Sequence, residues 1–152
     1  VKNEPYLIEY NIRMGDPECQ VLMMRLKTDL LEIIDCATKN RISNLKIQWS
    51  DESSITIVLC AKGYPLDYIK NSEIKNLKKI PMDKYNQIFH AGTYNKNNKI
   101  YSNGGRVLNI TTSSKFLDDA RTRSIDCINK INWGDGFFRK DIGWRIINKK
   151  KI

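Results

Sequence analysis

Ser54-Ile55-Thr56-Ile57-Val58-Leu59-Cys60-Ala61 is the clearest strand of this sequence, a short apolar and β-branched run that Gly63-Tyr64-Pro65 turns straight after its end. Two or three further strands are expected at 86–94, 98–102 and 105–111, separated by Asn95-Lys96-Asn97-Asn98 and by Ser102-Asn103-Gly104-Gly105. Spacing this close implies antiparallel pairing. A helix over Ser114–Ile131 would place Leu117, Ala120, Ser124, Cys127, Ile128 and Ile131 on one face. The elements sum to an α+β fold: an antiparallel sheet, curved or barrel-like, packed by helices.

Upstream of that unit, residues 6–12 alternate and carry Ile and Tyr, which reads as a strand broken by Gly15-Asp16-Pro17. From Pro17 to Lys39 the positions Leu22, Leu26, Leu30, Ile33, Ile34 and Ala37 recur at helical spacing, so one long helix is expected, capped by Asp16 and stopped at Asn40. Val1-Lys2-Asn3-Glu4-Pro5 runs into the apolar stretch without an initiator Met, as in a chain cut from something longer, whereas Lys149-Lys150-Lys151-Ile152 reads as a natural terminus. No internal repeat or low-complexity segment is present.

The 152 residues, 41% of them hydrophobic, suffice for one core. No apolar run reaches the roughly 20 residues needed to span a bilayer, and no signal peptide is visible, so a soluble protein with no membrane partner is expected. Cys19, Cys36, Cys60 and Cys127 lie in apolar-patterned segments with no C-x-x-C pair, and read as reduced core residues of a cytoplasmic protein. The net charge of +9 would suit RNA, DNA or an anionic small molecule equally, and the spread of lysines over polar stretches fits compositional bias as well as it fits a binding surface.

Strand alternation would point Glu9, Asn11 and Arg13 to one side. A carboxylate and an amide oxygen are hard ligands suited to Mg²⁺ bridging ATP phosphates, and a guanidinium offers a fork for phosphate or acyl-phosphate oxygens. A polar stripe of this kind is more often a solvated strand face. The turn that follows, opening a long helix at Gly15-Asp16-Pro17-Glu18, adds free backbone N–H groups and positive dipole for an anion.

The run Leu7-Ile8-Glu9-Tyr10-Asn11-Ile12-Arg13-Met14-Gly15-Asp16-Pro17-Glu18-Cys19-Gln20 resembles the signature of glycinamide ribonucleotide synthetases, the ATP-grasp ligases also called phosphoribosylamine–glycine ligases. It departs from that pattern only at Met14, where Leu or Phe is usual, a volume-conserving change. Ala61-Lys62-Gly63-Tyr64-Pro65, Phe89-His90-Ala91-Gly92-Thr93, Ser102-Asn103-Gly104-Gly105-Arg106-Val107 and Arg139-Lys140-Asp141-Ile142-Gly143-Trp144-Arg145 also resemble family blocks, in the family's order. Together they cover nearly the whole chain.

The resemblance implies the C-terminal part of a ligase of purine biosynthesis. Residues 1–44 would end an ATP-grasp domain and residues 45–152 would form the C-terminal domain. ATP would phosphorylate the glycine carboxylate, and the amine of 5-phosphoribosylamine would attack the acyl phosphate to give glycinamide ribonucleotide, ADP and phosphate. Carried over by motif, Glu9 and Asn11 would hold Mg²⁺ or Mn²⁺, Arg13 would stabilise the transferring phosphoryl group, and Asp16 would orient an amine or ribose hydroxyl. Gly104, Gly105, Arg106, Arg139 and Lys140 are candidates for binding the phosphoribosylamine phosphate, against the alternative of a hairpin turn with surface charges. Without the ATP-grasp body, the N-terminal remainder of the same enzyme, this piece should not turn over substrate.

His90 is expected to be structural, since amine attack on an acyl phosphate scarcely needs a base. Trp49, Trp133, Trp144, Phe137 and Phe138 read as packing residues. The competing function is a stand-alone basic module for RNA or an anionic metabolite. An RNA surface would want aromatics interleaved with arginines on one sheet face, a pattern the sequence lacks, so no nucleic-acid partner is expected.

Overall fold

The computed structural model describes residues 4–149; the readings placed on Val1–Asn3 and Lys150–Ile152 lie outside them. In chain order the helices are α1 (Glu18–Arg25), α2 (Leu30–Thr38), α3 (Leu117–Lys130) and α4 (Trp144–Lys149). The strands are β1 (Ser53–Ala61), β2 (Glu73–Ile74), β3 (Asn86–His90), β4 (Thr93–Lys96), β5 (Lys99–Ser102), β6 (Arg106–Ser114) and β7 (Gly136–Phe137).

The expected strand at 54–61 is β1, and its side chains alternate between the core and a half-buried face: Ile55, Ile57, Leu59 and Ala61 are buried between Ser54, Thr56, Val58 and Cys60. Its antiparallel partner is β6, in a register that sets Ile57 against Ile110 and Leu59 against Leu108. Each such side chain withdrawn from water contributes about 1.5–3 kcal/mol. β3 pairs the far side of β6, and β7 the far side of β1, so the order is β3-β6-β1-β7. As an inner strand, β6 is buried on both faces from Val107 to Ser113.

Over the Ile57 and Leu108 face lies α3, with Ala120, Ser124, Cys127 and Ile128 turned inward as the helical spacing predicts. The buried Thr112 hydroxyl donates to the Ala120 carbonyl and lies 2.8 Å from the Ser124 hydroxyl, which satisfies polar groups that would otherwise be orphaned under the helix. The second sheet, β2-β5-β4, turns on a two-residue hairpin, Asn97-Asn98. Both asparagines have positive φ, 52° and 61°, the conformation such a turn demands and one Asn tolerates.

Several expectations are corrected. The sheet is not barrel-like: among the described residues there are two open antiparallel sheets and no closure. The strand expected at 86–94 is divided, because the Ala91 and Gly92 amides both donate to the Val107 carbonyl and swing the chain from β3 into the other sheet. The two-residue strands β2 and β7 are too short to leave any periodicity in the sequence.

The single helix expected over 17–39 is two helices. At the break, Leu26 takes extended backbone and bridges to Trp49, Thr28 Oγ1 accepts from the Gln48 amide at 2.7 Å, and Asp29 caps α2 by accepting from the Leu31 amide at 2.8 Å. Hydrophobic spacing ran through a position where capping chemistry favours a stop. Asn40, with φ of 54°, ends the second helix as expected. Asp16 does not cap α1, whose N-cap position is Pro17 with no side-chain bond.

The strand expected at 6–12 is not formed. These residues have no regular structure, and Ile8 is 95% and Ile12 99% exposed. Alternation prepares a segment for a sheet, but backbone N–H and C=O groups need a neighbouring strand, and none of the described segments lies alongside. Only Cys127 of the four cysteines is fully buried; the others are half-buried, and all four are free. Burial raises the thiol pKa of Cys60 and of Cys127. Trp133 is in the core and Phe138 packs on it, whereas Trp49, Trp144 and Phe137 are each more than two-fifths exposed.

This division predicts an exchange pattern. In the 152-residue chain, amides of β1 and β6 should be strongly protected while those of residues 5–14 exchange freely, with or without Mg-ATP. Strong protection of Glu9–Arg13, or nucleotide-dependent protection anywhere, would contradict it.

Candidate active-site cleft

Glu9, Asn11, Arg13, Gly15, Asp16 and Glu18 line one polar cleft of about 380 Å³, and Arg106 at the start of β6 closes it from the sheet. Of the residues singled out in the sequence, Glu9, Asn11, Arg13, Asp16 and Arg106 are thus brought together across 90 positions of chain. Glu9 and Asn11 converge without a strand: Asn11 Nδ2 donates to Glu9 Oε1 at 3.0 Å. Arg13 Nη1 donates to the Met14 carbonyl at 3.3 Å.

Asp16 is gripped from two sides. Arg106 Nη2 lies 3.3 Å from Asp16 Oδ2 and Nη1 donates to the Asp16 carbonyl at 3.1 Å, while Gln20 Nε2 of α1 donates to Oδ1 at 3.1 Å. Glu18, which the sequence marks only as part of the Gly15-Asp16-Pro17-Glu18 run, also lines the cleft from the first turn of α1.

The remaining candidates lie apart from that cleft. Arg139 forms a two-pronged pair with Asp141, Nη2 to Oδ2 at 2.6 Å and Nε to Oδ1 at 3.0 Å, which holds the Asp141 carboxyl below its usual pKa and raises that of Arg139. Lys140 is exposed, and its carbonyl accepts from Arg121 Nη2. Arg139 also borders an apolar cavity of about 410 Å³ formed by Pro17, Val58, Tyr64, Pro65, Phe138 and Ile142 among others.

Gly104 and Gly105 meet protein. A Cβ on Gly104 would sit 3.1 Å from Gly92 Cα and one on Gly105 would collide with the Tyr64 ring, so both serve close approach of the β6 entrance to its neighbours. His90 is exposed and its Nδ1 lies 2.8 Å from Thr93 Oγ1 across the turn between sheets, a local structural bond.

Fold and cleft together define a class: an open antiparallel α+β module with a charge-lined cleft where its N-terminal segment meets the sheet. The chain belongs to the phosphoribosylglycinamide synthetase C-domain family, whose sequence model matches residues 54–145. A phosphoribosylamine–glycine ligase of Brucella melitensis is 45% identical over 147 residues, which are 97% of this chain and 34% of that protein. The chloroplastic phosphoribosylamine–glycine ligase of Arabidopsis thaliana is 44% identical over 150 residues, 97% of this chain and 28% of its own length.

The crystal structure of phosphoribosylamine–glycine ligase from Thermotoga maritima aligns with a TM-score of 0.69 at 29% identity, covering 91% of this chain and 33% of that one. The chain spans about a third of the length of the relatives it matches. The family match begins at Ser54, so Glu9, Asn11, Arg13 and Asp16 lie upstream of the matched domain and Arg106 within it. Among the described residues no helix is long and apolar enough to cross a membrane.

Proposed function

We propose that this chain is the C-terminal part of a phosphoribosylamine–glycine ligase and supplies one wall of its active site, residues 1–44 ending an ATP-grasp domain and residues 45–152 forming the C-terminal domain. The reaction is the ATP-dependent ligation of glycine to 5-phosphoribosylamine, giving glycinamide ribonucleotide, ADP and phosphate through a glycyl phosphate, in purine biosynthesis. The observation that carries this reading is the convergence of Glu9, Asn11, Arg13, Asp16 and Arg106 on one cleft, in a chain of this family. The unpaired apolar segment at residues 6–12 is consistent with a strand whose neighbours lie in the N-terminal remainder of the enzyme. Four free thiols suit a reducing compartment such as the cytoplasm.

The donor set fits a hard divalent cation. With Asn11 Nδ2 turned to Glu9 Oε1, the amide oxygen and the second carboxylate oxygen are left for Mg²⁺ or Mn²⁺. Among the described residues no group of three or more His, Cys, Asp or Glu is placed to hold a metal, so phosphate oxygens and water would complete the shell. Such an ion, when bound, neutralises charge on the ATP phosphates.

Arg13 stabilises charge on the transferring phosphoryl group, and Asp16 orients the amine or a ribose hydroxyl. The phosphate of phosphoribosylamine falls to Arg139 and Lys140 of the C-terminal domain, Arg106 facing Asp16 in the cleft instead, with Gly104 and Gly105 shaping the entrance to β6. Arg139→Ala or Lys140→Ala in the full-length enzyme should raise the KM for phosphoribosylamine more than that for glycine. Steady-state kinetics with each substrate varied in turn reads this directly, and unchanged phosphoribosylamine kinetics in both variants would move the phosphate site elsewhere.

A further inference from the structure

We propose that Arg106 is a positioning residue that acts on the reaction through Asp16, clasping the Gly15–Pro17 turn to the first residue of β6. The inference rests on the ligase reading for its kinetics but not for its geometry. Arg106 makes two different contacts to one residue: Nη2 meets the Asp16 carboxylate at 3.3 Å, and Nη1 donates to the Asp16 backbone carbonyl at 3.1 Å. The first contact fixes the side chain and the second fixes the turn itself. Among the described residues, no other hydrogen bond or ion pair joins residues 9–17 to the sheet.

The base of the clasp is rigid. Arg106 stands opposite Cys60, where the β1–β6 register shifts, and the Ala61 amide donates to the Gly105 carbonyl at 2.8 Å. Gly104 lies on Gly92 and Gly105 under the Tyr64 ring, contacts that a side chain at either position would push apart. The glycine pair therefore sets where Arg106 begins. At the other end, Gln20 holds the second Asp16 oxygen from α1, so the carboxylate is fixed between helix and sheet. A guanidinium serves both contacts from one planar fork, which a lysine cannot.

Both partners are well exposed, the side chains at 43% and 39%, and a pair of that kind contributes little to folding stability. Its effect is on placement, because small displacements of a catalytic group carry large rate penalties. The signature is a loss of turnover without a loss of stability.

The experiment uses the full-length enzyme with Arg106→Ala, Arg106→Lys, Asp16→Asn and the Arg106→Ala/Asp16→Asn pair. Arg106→Ala should lower kcat for glycine-dependent ADP formation, at saturating levels of all three substrates, by about tenfold or more with an unchanged melting temperature. Arg106→Lys should recover only part of that loss. The double variant should be no slower than Asp16→Asn alone, because the two substitutions break one unit. Hydrogen exchange on the same proteins, which needs no turnover, should show residues 14–20 exchanging faster in Arg106→Ala.

A rise in phosphoribosylamine KM with kcat unchanged would make Arg106 a simple phosphate ligand and overturn the proposal. So would additive losses in the double variant, or unaltered exchange at residues 14–20. A fully active Glu9→Gln enzyme would instead defeat the ligase assignment of the cleft, and the exchange measurement would still report on the clasp.

Discussion

Replacing Glu9 by Gln, or Asn11 by Ala, in the full-length enzyme is expected to abolish glycine-dependent ADP formation. Each substitution removes an oxygen from the pair that Asn11 Nδ2 and Glu9 Oε1 hold together at 3.0 Å, and with it a proposed ligand for a cation that would offset phosphate charge. Loss of one preorganised electrostatic contact in a site of this kind costs on the order of 100-fold or more in rate. Both side chains are exposed and neither packs in the core, so the fold should persist with its melting temperature intact. Turnover within tenfold of the parent at saturating Mg²⁺ would remove Glu9 and Asn11 from the metal site.

The second large effect is on stability. Ile57 is 1% exposed at the centre of β1, faces Ile110 across the pair, and belongs to the cluster with Leu59, Leu108 and Cys127. Truncation to Ala removes three buried carbons and leaves a cavity that an antiparallel ladder on one side and α3 on the other cannot readily close. The expected loss is about 2–5 kcal/mol. Set against a total stability of roughly 5–15 kcal/mol, that leaves the domain marginal. The half-buried Val58, one residue along on the opposite face, should lose much less on the same truncation. Urea denaturation of the two variants tests the comparison. Equal losses at positions 57 and 58 would mean that the two faces of β1 are equally buried.

These two effects lie on different links of the chain from sequence to function. Ile57 acts through packing, and its face was readable from strand alternation because burial on one side of a sheet has period two. Glu9 and Asn11 are proposed to act through chemistry, a role suggested by residue type and spacing and by the family pattern around Gly15-Asp16-Pro17-Glu18. The alternation that suggested a strand there was correct about the sequence and wrong about this chain's structure. Residues 6–12 have the pattern of a strand and no partner to pair with among the described residues, so their apolar side chains stand in solvent.

The helix at 17–39 shows a different failure. Apolar residues at Leu22, Leu26, Leu30 and Ile33 satisfy helical spacing, yet Asp29 finds the Leu31 amide and Thr28 the Gln48 amide, and the chain breaks between them. Side chains that bond the local backbone compete with helix continuation, and periodicity does not register that competition.

By itself the sequence determined the class of fold, the core strand at 54–61, the inward face of α3 and the residue types able to meet a metal and a phosphate. Those follow from local rules: alternation, helical spacing, turn residues and ligand chemistry. The tertiary structure decided that the strands form two open sheets, that Gly104 and Gly105 are spent on contacts to Gly92 and the Tyr64 ring, and that Arg106 meets Asp16 while Arg139 meets Asp141. A guanidinium has the same chemistry at each of its positions in the chain. Which carboxylate it reaches is set by how β6 enters the sheet and where α1 begins, and those are properties of long-range packing that no local pattern encodes.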